Sequence, residues 1–377
     1  MTIATQPLTS TPADRRADGR LERPVSLDTY RLLGNSGLRV SPMALGTMTF
    51  GADWGWGAER EDARRMFDAY VERGGNFIDT ANKYTEGTSE QFVGEFAAGR
   101  RERLVIATKY TLPTRAGDPN SGGNHRRSMV RSVEESLRRL RTDYIDLLYL
   151  HIWDGTTPVE EILRAMDDLV RAGKVVYVGI SDTPAWQVSR MQAIAELRGW
   201  APLVALQIEY SLIERTVERE LIPMAREMGL GVIPWSPLGS GVLTGKYSRS
   251  DLAARNGSAD PTGTRKDVAI GNGALTERGL RIAEVVREVA AEIGTTRSRV
   301  ALAWTLLNPA VTAPIIGART PAQLEDNLRA LALELPEEQR TRLEEASAVE
   351  LGFPHDFLAR PMTQNVLHGD VKIAPRA

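Results

Sequence analysis

The chain has 377 residues and no cysteine. Disulfides, thiolate metal sites and cysteine nucleophiles are therefore excluded outright. No apolar run is long enough to cross a bilayer. The opening segment "MTIATQPLTSTPADRRADGRLERP" lacks the apolar centre of a secretory signal and reads as a solvated, disordered arm. Neither sign of charge is in excess. With 47 basic and 49 acidic side chains the net charge is −2, so no broad field recruits nucleic acid or an anionic membrane. A cytoplasmic protein without metal, nucleic-acid or membrane partner is the expectation.

Two nucleotide motifs are missing as well. No G-x-G-x-x-G turn follows the first strand candidate, which argues against an open doubly wound sheet, the runner-up architecture. "GSGVLTGKY" looks like a phosphate loop until its positions are checked. Ser240 stands where the first glycine is needed, and Tyr247 stands where a Ser or Thr would hold magnesium.

What the sequence does have is alternation. Apolar, β-branched runs lie at 43–48, 76–81, 104–109, 144–151, 175–181, 203–210, 231–238 and 311–318, separated by segments with helical spacing. Near-continuous apolar runs are the pattern of parallel strands covered on both faces. Pro158 and Pro321 suit first helical turns, and Gly74-Gly75 stops the helix before them. Eight such units predict an α/β fold, a (β/α)8 TIM barrel over residues 30–345. Residues 30–42 predict an N-terminal hairpin that plugs its bottom. Residues 1–29 form the arm, extra helices are expected near 279–293 and 297–307 towards the C-terminal end, and 346–377 form a tail without clear period. A long Gly/Ser/Asp-rich connection, 239–275, follows the seventh strand.

In such a barrel, polar residues at the C-terminal strand ends converge on one mouth. Asp79 ends the second strand in "NFIDTANKY", with Tyr84 just beyond it, Lys109 ends the third strand and His151 the fourth. Each alone reads as a cap, a rim aromatic, a snorkelling ammonium or a core histidine. Four titratable groups together at the tips of apolar strands are hard to explain by packing, because a buried charge needs a partner. A phenol near ~10 is a poor acid at neutral pH. The ammonium of Lys109, kept charged by Asp79, is expected to lower it, while His151 orients a substrate oxygen. That combination is a proton donor aimed at an oxygen becoming an alkoxide. The electron pair has to come from a cofactor.

Several motifs stand together in register: "NFIDTANKYTEGTSEQFVG", "ATKY", "YIDLLYLHIWD", "GKVVYVGISD", "LQIEYSLIER", "PWSPLGSGVLTGKY" and "PIIGARTPAQLEDNL". Across about residues 30–345 the chain resembles the aldo-keto reductase family. "HIWDGTTPVEEI" and "GISDTPAWQVSR" resemble its aryl-alcohol-dehydrogenase-like branch. The resemblance implies NADPH or NADP bound in an extended pose, a hydride passed reversibly between cofactor and an aldehyde or ketone, and Tyr84 as general acid supported by Lys109 and Asp79. It also implies cofactor contacts at Gly46 and Thr47, a carboxamide held by Ser181, Asp182 and Gln207, and a nicotinamide stacked on Tyr210. A pyrophosphate would be wrapped near Ser236, Leu238 and Gly241 with Lys246. At the far end, Gly317, Gln323, Asp326 and Asn327 would hold the adenosine and Arg319 its 2′-phosphate. Asp182 departs from the family's usual Asn: a carboxylate accepts from an amide N–H but cannot donate to its C=O.

Trp54 and Trp56 follow the first strand and Trp153 follows His151, so a flat or apolar carbonyl substrate is expected. Tyr110 and His125 sit in the loop after the third strand, within reach of the same mouth. Two other readings stay open: an NADPH-binding regulatory subunit, and a Schiff-base aldolase using Lys109. A hydrolase with paired carboxylates is more remote, since no second carboxylate accompanies Asp79.

Overall fold

The computed structural model describes residues 26–253, 264–369 and 371. The arm up to residue 25, residues 254–263 of the long connection, and 370 and 372–377 of the tail lie outside the described residues.

The hairpin forms from β1 (Arg31–Leu32) and β2 (Arg39–Val40), paired antiparallel. Eight parallel strands follow, one on each expected run, with the third ending one residue beyond its run. They are β3 (Ala44–Gly46), β4 (Phe77–Asp79), β5 (Val105–Tyr110), β6 (Ile145–Leu150), β7 (Val175–Ser181), β8 (Leu203–Glu209), β9 (Gly231–Trp235) and β10 (Ile315–Gly317). The order β10-β3-β4-β5-β6-β7-β8-β9 makes a nearly closed barrel, and a bridge between Val232 and Val311 links its two ends. Except for β5 and β7, the strands are shorter than the apolar runs because the run ends already turn into mouth and bottom loops.

The helices between and after the strands are α1 (Arg60–Glu72), α2 (Thr88–Phe96), α3 (Arg126–Leu140), α4 (Val159–Arg171), α5 (Ala185–Arg198), α6 (Leu221–Glu227), α7 (Arg249–Ala253), α8 (Arg265–Gly271), α9 (Glu277–Glu292), α10 (Arg297–Leu307), α11 (Pro321–Leu328), α12 (Glu337–Ser347), α13 (His355–Leu358) and α14 (Pro361–His368). Helix α4 buries Val159, Ile162, Leu163, Met166 and Leu169, the i, i+3, i+4, i+7 stripe of an amphipathic helix. Pro158 caps it from outside, whereas Pro321 sits inside the first turn of α11. The described residues of the long connection carry α7 and α8. Thr264 and Asp267 close a capping box on α8. The tail carries α13 and α14.

Alternation along each strand sends side chains in turn to two separate cores. Residues such as Ala44, Phe77, Val105, Leu147, Ala205 and Ile233 fill the barrel interior. Their neighbours, such as Leu45, Ile78, Ile106, Leu148, Leu206 and Val232, pack under the helices. Leu33, Leu38 and Val40 of the hairpin join the inner cluster and close the bottom as expected. The hairpin lies tight on the barrel: Asn35 N–H donates to Gly229 O at 2.8 Å, and a Cβ on Gly34 would stand 2.4 Å from that oxygen. With the bottom plugged, the open end is the mouth at the strand tips.

Candidate active site

Inward parity carries a polar or aromatic residue to the tip of six consecutive strands: Asp79 on β4, Lys109 on β5, His151 just past β6, Ser181 on β7, Gln207 on β8 and Trp235 on β9. Lys109 is fully buried and Asp79 nearly so. The ammonium donates to Asp79 Oδ2 at 2.6 Å, to Thr80 O at 2.8 Å and to the Tyr84 hydroxyl oxygen at 3.3 Å. A lysine has three donors, and all three are used. Asp79 Oδ1 accepts from Gln207 Nε2 at 2.9 Å. Desolvation opposes the charge on Lys109, but Asp79 and Tyr84 outweigh it and raise its pKa.

Tyr84 opens a turn whose next two residues, Thr85 (φ 46) and Glu86 (φ 53), adopt the left-handed conformation, followed by Gly87 at φ 97. The Thr85 side chain explains its own strain. Its buried hydroxyl donates to Phe50 O at 2.7 Å and accepts from Ser89 N–H at 3.0 Å. Ser89 Oγ in turn lies 2.8 Å from Thr47 Oγ1 and 2.9 Å from Thr80 Oγ1. This hydroxyl network ties together the backbones that bear Asp79, Thr80 and Tyr84. Strained residues held by such packing gather at functional sites, and further left-handed residues lie at other strand ends: Thr111, Asp182 and Ser236.

The sequence suggested a phenol made more acidic by Lys109. Burial, the largest influence on Tyr84, instead raises its pKa, and the nearby ammonium offsets this only in part. Tyr84 is therefore a protonated phenol beside a cation. His151 stands edge-on to the Tyr84 ring at 5.9 Å and 80°. Burial first, and then the charge of Lys109, push its pKa well below the usual histidine value, so the imidazole is neutral. Its Nδ1 is buried without a hydrogen-bond partner.

The mouth has an aromatic wall. Trp54 stands edge-on to Tyr84 at 6.4 Å and lies 5.6 Å from Trp56. Arg265 of α8 covers the Trp56 ring at 4.9 Å. Trp153 is half-buried, partly against the outer core. Tyr110 and His125 do not reach in. Tyr110 is fully buried with its hydroxyl donating to Asn124 O, and His125 Nδ1 caps α3 by accepting from Ser128 N–H.

Several expected cofactor residues are placed differently from the sequence reading. Tyr210 lies three positions after the inward Gln207, so alternation turns it outward. Its ring packs 5.4 Å from Trp304, and its hydroxyl donates to Glu218 and accepts from Asn308. An aromatic ring with inward parity at the tip of the next strand is Trp235, which shares that parity with Ile233. Its indole N–H donates to Asp182 Oδ1 at 3.0 Å. Asp326 is committed to Arg299 and Thr296, and Asn327 is buried with its amide donating to Gly317 O. Thr47 is buried and its hydroxyl donates to Asp79 O, while Gly46 is packed under Ile315. Gln323 accepts from Arg319 N–H. In the loop after β9, Ser236 Oγ accepts from Ser240 N–H, Gly241 N–H already donates to Leu238 O, and the Leu238 side chain packs on the outer core.

Other features fit an anionic dinucleotide. Ser181 Oγ is buried without a partner at the tip of β7, beside Gln207 in register. Lys246, Arg265 and Arg319 form a cationic group that no carboxylate pairs among the described residues. Lys246 is part-exposed, and desolvation and the like charges of Arg265 and Arg319 push it down to about 8. Arg265 was not legible as a site residue, because it follows a polar stretch without periodicity. Asp182 is pushed up to about 6, burial outweighing the Trp235 hydrogen bond. A hollow of about 550 Å³ outside the barrel, between α6 and α10, is lined by groups such as Arg215, Glu218, Trp304 and Glu344 that already pair with one another. It lies on the outer side of the barrel, where Tyr210 faces, and offers no such chemistry.

Residues 42–348 match the model of the Aldo/keto reductase family. The chain is 39% identical over 355 residues to norsolorinic acid reductase of Aspergillus flavus, covering 91% of this chain and 87% of that protein. It is 36% identical over 363 residues to the aryl-alcohol dehydrogenase (NADP+) of Phanerodontia chrysosporium, covering 92% and 93%. An uncharacterized oxidoreductase of Bacillus subtilis is 42% identical over 321 residues, covering 82% and 93%.

Proposed function

The chain belongs to the aldo/keto reductase family of nicotinamide-dependent oxidoreductases, and on that premise we propose that it uses NADPH to reduce aldehydes or ketones, aromatic ones foremost, with Tyr84 as the acid. The observation that carries this reading is the filled donor set of Lys109. With its three protons on Asp79, Thr80 O and Tyr84 Oη, the ammonium makes the phenol an acceptor on that side. The phenol's own proton then points to the mouth.

When bound, the dinucleotide supplies the hydride. The chain's part is to receive the carbonyl oxygen and to give it a proton. A neutral His151 leaves its orphaned Nδ1 as a lone pair more cheaply than as an N–H, which puts the proton on Nε2 as a donor to the substrate oxygen. As charge develops on that oxygen, the Tyr84 proton transfers to it. The phenolate left behind is stabilised by an ammonium that is already in place and needs no reorganisation. Ser181, Asp182 and Gln207 would hold the carboxamide and Trp235 would lie against the nicotinamide. Lys246, Arg265 and Arg319 would take the 2′-phosphate, Arg through its planar fork.

Lys109 makes a poor Schiff-base nucleophile, because an amine must lose its proton to attack, and here the charged form is favoured and its donors are filled. The test is loss of the reduced cofactor's near-ultraviolet absorbance with a panel of aromatic and aliphatic aldehydes, using NADPH and NADH. Turnover preferring NADPH is expected. Tight NADPH binding with no turnover on any aldehyde would overturn the reading in favour of a cofactor-sensing subunit.

A further inference from the structure

Building on that reading of the mouth, we propose that Glu86 is a positioning residue that sets substrate selectivity by fixing Trp54 beside the Tyr84 ring. Glu86 Oε1 accepts the indole N–H of Trp54 at 3.2 Å, and its Oε2 accepts from Lys83 Nζ at 2.5 Å. Among the described residues these are its side-chain polar contacts. They join the loop after β3, which carries Trp54, to the loop after β4, which carries the acid. Trp54 then stands at 79° to the Tyr84 ring and leans on Trp56.

The backbone gives an independent reason to assign Glu86 a role. Its φ of 53° and ψ of 29° are a conformation that favours glycine. The strain at Thr85 is explained by its buried hydroxyl, but the half-exposed Glu86 has no such burial. A strained, charged residue at the turn behind the acid points to what its side chain does. Hydrogen bonds from Lys83 and Trp54 outweigh desolvation and hold its carboxyl below the usual range. It is therefore an anion that can only accept, which suits an indole that can only donate. Released from Glu86, the indole turns to water. The mouth then loses the wall that separates a flat aromatic carbonyl from a small aliphatic one, while Tyr84, Lys109 and Asp79 keep their contacts.

The test uses Glu86→Gly, which removes the side chain while suiting the left-handed backbone, and Glu86→Gln, which keeps an acceptor for the indole. Substrates are benzaldehyde and propanal, and indole N–H signals are read on 15N-tryptophan-labelled protein, with Trp54→Phe identifying the Trp54 signal. In Glu86→Gly the Trp54 signal shifts, KM for benzaldehyde rises about fivefold, the scale of one aromatic contact, KM for propanal holds and kcat changes by less than about twofold. Glu86→Gln recovers most of both effects. An unmoved Trp54 signal, or equal changes in both KM values, overturns the proposal while leaving carbonyl reduction intact. A parent enzyme that reduces neither aldehyde removes the underlying reading, and this one with it.

Discussion

Replacing Asp79 by Leu strips the Lys109 ammonium of its counter-ion in a site with no solvent access. Breaking one partner out of a buried ion pair costs about 3–5 kcal/mol. Lys109→Met should cost a similar amount, since it leaves Asp79 with Gln207 alone. If the two effects were independent, the double variant would lose about 6–10 kcal/mol. It should lose far less. With both charges gone, what remains is a buried Gln207 amide and a Thr80 carbonyl without their partners, worth about 1–3 kcal/mol each, while the part-buried Tyr84 oxygen, which also loses Lys109, can turn to water. The account therefore predicts a coupling of about 3 kcal/mol or more, read from urea denaturation midpoints at unchanged slope. All three proteins should lack activity. Single variants whose effects add to within about 0.5 kcal/mol would refute the argument that these groups are a charged pair.

Three other outcomes follow from the same structure. Glu209, inward at the tip of β8, is pushed up to about 8 by burial and by the charges of Glu214 and Asp182. Its folded pKa lies above its unfolded one, so stability falls as pH rises through about 4.5 to 8. Glu209→Gln should melt a few degrees higher than the parent at pH about 9 and level with it at pH about 4; the same difference at both would contradict this. Arg265→Ala and Arg319→Ala should each weaken NADPH binding about tenfold, the loss of roughly one charge-assisted contact, with NADH binding unmoved in calorimetry. Trp235→Leu should weaken both cofactors alike, whereas Tyr210→Phe should leave cofactor binding at the parental value and only reduce stability.

The barrel was readable because eight apolar runs carry the signature of parallel strands buried on both faces. Asp79, Lys109 and His151 were readable because a titratable group at the end of such a run has no packing explanation. Tyr210 shows where a motif misleads. Being aromatic and near a strand tip was not enough, since its distance of three from Gln207 puts it on the opposite face; Trp235, at the tip of the next strand, has the right parity. Asp326 failed for another reason: its partner Arg299 lies 27 positions away, beyond any local pattern. Arg265 lacked a signal altogether, because its place beside Lys246 and Arg319 comes from tertiary proximity. The net direction of the Tyr84 shift was also out of reach, since burial competes with the ammonium and only coordinates weigh one against the other.

The most direct measurement is single-turnover reduction of benzaldehyde by Tyr84→Phe, with cofactor binding checked in the same protein. The account predicts NADPH affinity within about twofold of the parent and a chemical step slowed by about a hundredfold or more, the range for loss of a general acid. A Tyr84→Phe enzyme that transfers hydride at the parental rate would contradict it.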